Sequence, residues 1–234
     1  MPARYSSEKL KKIAMGTMAL DHGAAAIIYL HGLNEYPFLG ELGLAMRLIG
    51  RMAFPLYAFL LVQGFLYTKS RKKYAARLGI FALISEIPFD LVAFGQVFDP
   101  GAQNTLFTLL AGLLCLEAVE RYQETGRAAA LLAAGVWIAA AALLHADYGV
   151  MGVLFILTLY VFRDRPAERM VFGGAVLFFL YRDLYALASW IAFFFVNRYN
   201  GERGKPMGYV PYVFYPAHLL ILYTAGELIY ELYF

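Results

Sequence analysis

Long apolar runs alternate with short polar segments along the whole chain, and this pattern predicts its elements. A helix that crosses a membrane needs about 20 mainly apolar residues, within a range of about 17–25. The runs that approach this length lie at 10–30, 41–67, 78–95, 105–121, 128–145, 148–162, 170–182, 184–197 and 208–232. We therefore predict an all-α, polytopic transmembrane helix bundle of about nine spans, within limits of eight to ten.

The seventh and eighth runs are short, and two interpretations of them stay open. They form either two thin or re-entrant helices, or one long helix broken at Arg182 and Asp183. Basic residues favour two helices, because short cytoplasmic loops concentrate Lys and Arg. With nine spans and a cytoplasmic amino terminus, the basic loops all lie inside and only Arg182 lies outside. We expect one transmembrane domain, residues 1–234.

Composition supports this prediction. The chain is 61% hydrophobic and 16% charged, whereas soluble domains are about 45–50% apolar and about 25% charged. The single cysteine, Cys115, excludes an internal disulfide and a zinc cluster. The first run follows three lysines, as in a signal peptide, but Asp21 and His22 interrupt its apolar centre, so we predict a retained helix.

Asp21 and His22 lie about 16 Å into the first predicted span. Ionisable residues at this depth generally mark a pathway or a reaction centre. A histidine beside a carboxylate can have a fixed tautomer and act as a general base; the alternative is a polar contact that holds helices together. Lys11 precedes His22 by eleven positions, about three turns, and so shares its helix face at the cytoplasmic mouth.

Two charged pairs follow on the next spans. Arg47 and Arg51 are four residues apart on one face, where they can bind a phosphate or carboxylate or stabilise developing negative charge. Glu86 and Asp90 are four apart on the third span and need cations or protons. The two arginines are their obvious partners, and structural pairing is favoured over direct catalysis for these carboxylates.

Two further polar clusters lie near the ends of predicted spans. His145 and Asp147 occupy the tight hairpin HADYG on the outer face, which either lines a substrate entrance or is an ordinary turn. Tyr215 and His218 are three apart on one face of the last span, where His218 either lines a catalytic cavity or packs between helices. The chain has no Walker-type or dinucleotide glycine motif, and we expect no metal and no nucleic-acid partner.

These segments resemble the TraX family of bacterial membrane proteins. The matching pieces, from about residue 10 to 222, are DH in the first span, then RLIGRMAFPLYAFLLVQGF, RKKY, FALISEIPFDL, DYG, YNGERG and FYPAHLLIL. The family includes the plasmid-borne enzyme that acetylates the amino terminus of conjugative pilin, although many relatives are chromosomal. A more distant similarity is to transmembrane acyltransferases that O-acetylate envelope sugars. In those a basic residue, ten residues and a catalytic histidine follow one another, as Lys11 and His22 do here.

The resemblance implies a multi-pass acyltransferase of the bacterial cytoplasmic membrane. It would transfer acetyl from cytoplasmic acetyl-CoA to the amine or hydroxyl of an acceptor peptide, glycan or lipid. His22 would be the general base or a transient acetyl carrier, and Asp21 or another carboxylate would orient it. Arg47 and Arg51 would hold the pantetheine end, the thioester oxygen or an anionic acceptor. Lys11 and the basic inner loops would attract the phosphates of the donor.

The remaining candidates for substrate binding are Glu86, Asp90, His145, Asp147, Tyr215 and His218. Two other functions stay open. Intramembrane acids, histidines and arginines also form proton relays, which would suit a proton-coupled small-solute transporter. The chain could also be a non-catalytic membrane helper for a pilin-like partner.

Overall fold

The computed structural model describes residues 5–233, and 79% of these residues are helical. The α-helices in this part of the chain are α1 (Ser7–Gly23), α2 (Pro37–Gly50), α3 (Ala53–Tyr67), α4 (Arg71–Phe94), α5 (Thr105–Thr125), α6 (Ala128–Leu143), α7 (Gly149–Val161), α8 (Pro166–Tyr181), α9 (Leu184–Val196) and α10 (Val210–Tyr233). A π-helical segment, Ala24–Tyr29, continues α1, and a 3-10 turn, Leu33–Glu35, precedes α2. The prediction of an all-α fold is confirmed.

Helix boundaries follow the apolar runs, with one change of helix type and one break inside runs that were predicted as continuous. The first run consists of α1 and the π-helical segment, and the second divides between α2 and α3 beside Arg51. Between α8 and α9, Arg182 adopts a left-handed conformation with φ 58°. The Asp183 carboxylate then accepts the Tyr185 N–H at 2.8 Å and caps α9. The seventh and eighth runs are therefore helices separated at Arg182 and Asp183, the position at which the second interpretation placed its break.

The chain forms two compact units, each built from separated segments. The first contains Met1–Tyr57, Ile84–Asp99 and Asp183–Phe234. In this unit α1 packs against α2 and α10, the π-helical segment contacts the same two helices, and α9 packs against α2. Two contacts show that α10 runs parallel to α1. His22 contacts His218, and nine residues further along each segment His31 Nε2 lies 3.9 Å from Glu227 Oε1.

Close contact between α10 and the π-helical segment depends on Gly226. A Cβ atom at this position would overlap the carbonyl oxygen of Ala26. The two backbones therefore touch, as they do where small residues line helix interfaces. This contact fixes the height of α10 beside the end of α1.

Residues 198–205 hold the other end of α1. The Tyr5 N–H donates to the Arg198 carbonyl, and the Ser7 and Glu8 N–H groups donate to the carbonyls of Glu202 and Arg203, at 2.9–3.1 Å. These bonds satisfy amides that the first turn of a helix leaves without an intrahelical partner. The YNGERG segment thus anchors the start of α1.

The second unit contains Ala58–Leu83 and Pro100–Arg182. Its helices α5, α6 and α7 pack on one another, and α7 also contacts α8. The α5–α6 interface consists largely of small buried side chains: Ala111, Cys115, Ala118, Ala134 and Ala141. Small residues let the helix backbones approach closely without a large apolar core.

Many large apolar side chains are exposed on the described surface. Leu143 is 80% exposed, Leu132 is 72% exposed and Ile221 is 67% exposed. By length and composition, the helical stretch Pro37–Tyr67 could cross a membrane, and three apolar helices are shorter than such a span: Ala128–Leu143, Gly149–Val161 and Leu184–Val196.

Candidate functional site

Asp21 is held between two arginines in the first unit. Arg51 donates from Nη2 to Oδ1 of Asp21 at 2.5 Å, and Arg47 donates from Nη1 to Oδ2 at 3.0 Å. The side chains of Asp21 and Arg51 are almost buried, whereas that of Arg47 is 29% exposed. Each carboxylate oxygen therefore has its own guanidinium, an arrangement that compensates a buried charge.

Local sequence explains this cluster. Gly50 packs directly on Asp21, because a Cβ atom at residue 50 would overlap the Asp21 side chain. The arginines are four residues apart across the break between α2 and α3, and Arg51 Nε donates to the Arg47 carbonyl at 3.3 Å. The Cζ atom of Arg51 lies 5.2 Å from the centroid of the Tyr185 ring. This cation–π contact helps to fix the plane of the Arg51 guanidinium.

Next to this cluster, two histidines from α1 and α10 form a hydrogen bond. His22 Nδ1 lies 2.7 Å from His218 Nε2, and His218 Nδ1 lies 2.7 Å from the carbonyl oxygen of Phe214. His218 is buried, and Tyr215, also buried, lies edge-on to His22 with ring centroids 6.1 Å apart.

The Phe214 carbonyl determines the tautomers of both rings. A carbonyl only accepts, so the neutral His218 carries its proton on Nδ1 and presents a lone pair at Nε2. His22 must then donate from Nδ1 to that lone pair. Its own Nε2 is left unprotonated, with a lone pair that can accept a proton. The chain Phe214–His218–His22 therefore prepares His22 Nε2 as a base.

The expected role of Asp21 in orienting His22 is corrected by this geometry. Asp21 binds Arg47 and Arg51, and the orienting partner of His22 is His218. Consecutive residues of an α-helix point about 100° apart, so neighbours in sequence contact different groups. The two side chains belong to adjacent clusters, an ionic one and a histidine one.

Formal charge also distinguishes the site. Two guanidinium groups face one carboxylate beside two neutral histidines, so Asp21, Arg47, Arg51, His22 and His218 together carry one excess positive charge. Arg47, the more exposed arginine, is better placed than Arg51 to meet a ligand. An anion, or an oxygen that gains negative charge during a reaction, would be stabilised here.

Glu86 and Asp90 lie on the part of α4 that belongs to the same unit. Asp90 is buried and accepts the N–H of Asp99 through Oδ2 at 3.0 Å. It forms an ion pair with neither Arg47 nor Arg51, so the expected pairing of Asp90 with these arginines is not found. Glu86, one turn earlier, is half-buried.

His145 and Asp147 lie in the second unit. The carbonyl of His145 accepts the Gln103 N–H at 3.1 Å, and Asp147 accepts from the Thr105 hydroxyl at 2.6 Å. These bonds join the hairpin to the start of α5. They account for the two residues as parts of a turn.

Lys11 lies half-buried on α1, which is a regular α-helix from there to His22.

Sequence reasoning did not select Gly50, Tyr185 or the Phe214 carbonyl. A glycine inside an apolar helical run is a recognisable sign of close packing, so the sequence could have identified Gly50 as a packing position. The roles of Tyr185 and Phe214 depend on contacts between helices.

Comparison with known proteins identifies the family of this chain. The family model described as TraX protein matches residues 6–225. The chain is 29% identical to the probable fimbrial assembly protein FimC, serogroup H1, of Dichelobacter nodosus, over 94% of this chain and 96% of that protein. No solved structure is significantly similar. Because the family match covers nearly the whole chain, including both histidines and both arginines, the chain belongs to the TraX family.

Proposed function

We propose that the protein is a multi-pass enzyme of the bacterial cytoplasmic membrane. It transfers an acetyl group from cytoplasmic acetyl-CoA to an amine or hydroxyl of an acceptor. The observation that carries this proposal is the hydrogen-bond chain from the Phe214 carbonyl through His218 to His22, which leaves His22 Nε2 as a base beside two arginines.

Exposed apolar side chains support a membrane location. Large patches of apolar surface are rare on soluble monomers, yet all exposed positions on α9 and most of those on α10 carry Leu, Ile, Val, Phe or Trp. A lipid environment explains this surface without further partners. The helices shorter than a full span would be accommodated by local thinning of the bilayer.

Contacts within each unit support nine crossings. With a cytoplasmic amino terminus, residues 5–8 and 198–205 lie on the inner side, and they are hydrogen-bonded. Gln103 and the 145–147 turn lie on the outer side, and they are also hydrogen-bonded. Arg71 and Glu120 form an ion pair at the inner side. The parallel course of α1 and α10 agrees with an odd number of spans.

The proposed reaction uses each part of the site. Acetyl-CoA supplies the thioester when it is bound. His22 Nε2 takes the proton of the acceptor N–H or O–H as the acceptor atom bonds to the carbonyl carbon. Arg47 and Arg51 stabilise the negative charge on the carbonyl oxygen. The carbon–sulfur bond then breaks, and His22 returns the proton to the departing thiolate of coenzyme A.

The acceptor proposed here is a pilin-like peptide. This choice rests on membership of the TraX family and on the similarity to a probable fimbrial assembly protein. An envelope glycan or lipid would present the same nucleophilic groups to His22. The amino-terminal amine of a peptide must be neutral to react. A base in a partly buried site favours this neutral form, because the base can take up the proton of the amine.

Mass spectrometry of envelope proteins tests the proposal in cells. Strains would carry the wild-type protein, no protein, or the variant His22→Gln, each with a pilin-like substrate expressed. We expect a peptide that is heavier by one acetyl group only with the wild-type protein. Pilin that assembles normally in the His22→Gln strain, and that carries no acetyl group in any of the strains, would instead favour a non-catalytic helper.

A transporter would give a different result. Proteoliposomes that contain the protein would then move a small solute or protons in the absence of acetyl-CoA. We expect no such flux. Flux that is independent of acetyl-CoA, together with unmodified envelope peptides, would contradict the proposed acyl transfer.

A further inference from the structure

Just beyond the π-helical segment, a buried histidine lies against α10. The side chain of His31 is only 8% exposed, and its ring stacks on that of Tyr230 with centroids 4.7 Å apart and planes 14° apart. His31 Nε2 is buried and has no hydrogen-bond partner within residues 5–233. A buried polar atom without a partner costs free energy, so this nitrogen is suited to a ligand that bonds to it.

Glu227 lies beside this nitrogen without bonding to it. Its Oε1 atom is 3.9 Å from His31 Nε2, which is longer than a hydrogen bond, and its side chain is 41% exposed. Gly226 borders the gap, because a Cβ atom there would lie 3.3 Å from Nε2. Neutral His31 with its proton on Nδ1 has a lone pair at Nε2, and the Glu227 carboxylate also accepts. One donor group can therefore bond to both atoms at once.

The charges in this part of the first unit favour a cation as the ligand. In the proposed topology its outer side includes residues 24–46, 84–99 and 220–233, which contain seven acidic residues and neither lysine nor arginine. An ammonium group with N–H bonds would donate to both His31 and Glu227 and would compensate the carboxylate charge. A phosphate would be repelled.

Depth in the membrane indicates a lipid as the source of this ammonium group. Glu227 follows Val210, the first residue of α10, by about 26 Å along the helix axis, and the hydrocarbon core of a bilayer is about 30 Å thick. Because α10 begins at the inner side in the proposed topology, Glu227 lies near the outer headgroups. Its neighbours Leu228 and Leu232 are exposed, as lipid-facing side chains are, and the exposed Tyr233 follows where tyrosines meet headgroups.

We infer that His31 and Glu227 bind the primary ammonium group of a phospholipid headgroup in the outer leaflet. The inference rests on the membrane location proposed above and not on acetyl transfer. His31 follows His22 by nine residues, so the site lies apart from the reaction centre, and variants of it should still transfer acetyl. A trimethylammonium headgroup has no N–H to donate. The site should therefore distinguish phosphatidylethanolamine from phosphatidylcholine.

Native mass spectrometry of the full chain in detergent tests the site, with the two phospholipids carrying identical acyl chains. We expect the first phosphatidylethanolamine to bind to the wild type about tenfold more tightly than the first phosphatidylcholine, the factor that one charge-assisted hydrogen bond can supply. Glu227→Gln removes the charge, and His31→Phe keeps a ring beside Tyr230 but removes the nitrogen. Each should bring the two affinities within about twofold. Glu41→Gln removes the same charge from an exposed position on α2 and should keep the preference.

Equal affinities of the wild type for the two lipids, or a preference that survives in both variants of the site, would overturn the inference. So would a preference lost equally in Glu41→Gln, or a Glu227→Gln protein that loses affinity only for a lysine-containing peptide. A headgroup preference in a protein that transfers no acetyl would refute the proposed function and keep the lipid site. Acetyl transfer without a headgroup preference would do the reverse.

Discussion

His218 acts on the proposed chemistry through His22. His218 Nε2 accepts a hydrogen bond from Nδ1–H of His22, which keeps the lone pair of His22 on Nε2. We expect His218→Ala to lower kcat about ten- to a hundredfold, as happens when the group that orients a reacting imidazole is removed. The KM for acetyl-CoA should stay near that of the wild-type protein, because in the proposed mechanism His218 acts on His22 and not on the donor.

The variant His218→Gln provides the matched control. Its amide oxygen can accept from His22 near the position of Nε2, so it should recover part of the lost kcat. Equal loss in His218→Ala and His218→Gln, with unchanged folding, would show that His218 has a different role.

Gly50 provides a test of the ionic cluster. Gly50→Ala would push a methyl group into the Asp21 side chain and separate it from Arg51. Overpacking of this kind costs about 1–3 kcal/mol. Thermal unfolding in detergent should therefore occur at a lower temperature. Gly16→Ala, on α1 with open space around the added atom, should be neutral or slightly stabilising. A Gly50→Ala protein as stable as Gly16→Ala would contradict the packing described here.

The residues of the site, but not their partners, could be predicted from sequence. Asp21, His22, His218 and the two arginines stand out because charged or titratable groups are costly in apolar runs. Their pairing depends on which helices pack together and at what height. The sequence pattern predicted Glu86 and Asp90 as the partners of the arginines, and only the packing of α1 against α2 shows that the partner is Asp21.

At the scale of elements, Glu8 joins the segment 198–205 to the start of α1. The side-chain hydrogen bond from Lys12, followed by the backbone N–H of Lys205, lowers the pKa of Glu8 from its ordinary value of 4.5. Because the pKa of Glu8 is lower in the folded protein, ionised Glu8 stabilises the fold. This stabilisation is complete above about pH 4.5 and is lost as the pH falls through the lowered pKa.

Hydrogen exchange measures this effect. At neutral pH, amides 202–205 should exchange more slowly in the wild-type protein than in Glu8→Gln. The two proteins should become alike once the pH is low enough to protonate Glu8. A wild-type protein that matches Glu8→Gln at every pH would show that Glu8 does not hold the segment.

The breaks within helices show where the apolar pattern stops being informative. Apolar residues continue through the α2–α3 break, so composition alone predicts one helix over 41–67. Pro55 gave a partial signal, since it has no N–H to bond the Arg51 carbonyl. The π-helical segment has the sequence AAAIIY, in which nothing distinguishes it from an ordinary α-helix. Its geometry depends on the contact between Ala26 and Gly226.

For the whole molecule, the proposed topology predicts which loops are accessible from each side. Cys115 is buried, so single cysteines can be introduced against a silent background. We expect a membrane-impermeant maleimide to label Val97→Cys in intact spheroplasts, and Glu124→Cys only after the membrane is opened. Labelling of both from the same side would contradict nine spans with a cytoplasmic amino terminus.

Acetyl transfer by the purified protein tests the central claim, that His22 Nε2 is the base, most directly. Protein in nanodiscs would receive labelled acetyl-CoA and a pilin-like acceptor, and the wild type would be compared with His22→Gln and with His31→Gln as a matched histidine control. We predict transfer by the wild type and His31→Gln, and a loss of at least about a hundredfold in His22→Gln with donor binding retained. Undiminished transfer by His22→Gln would contradict the account.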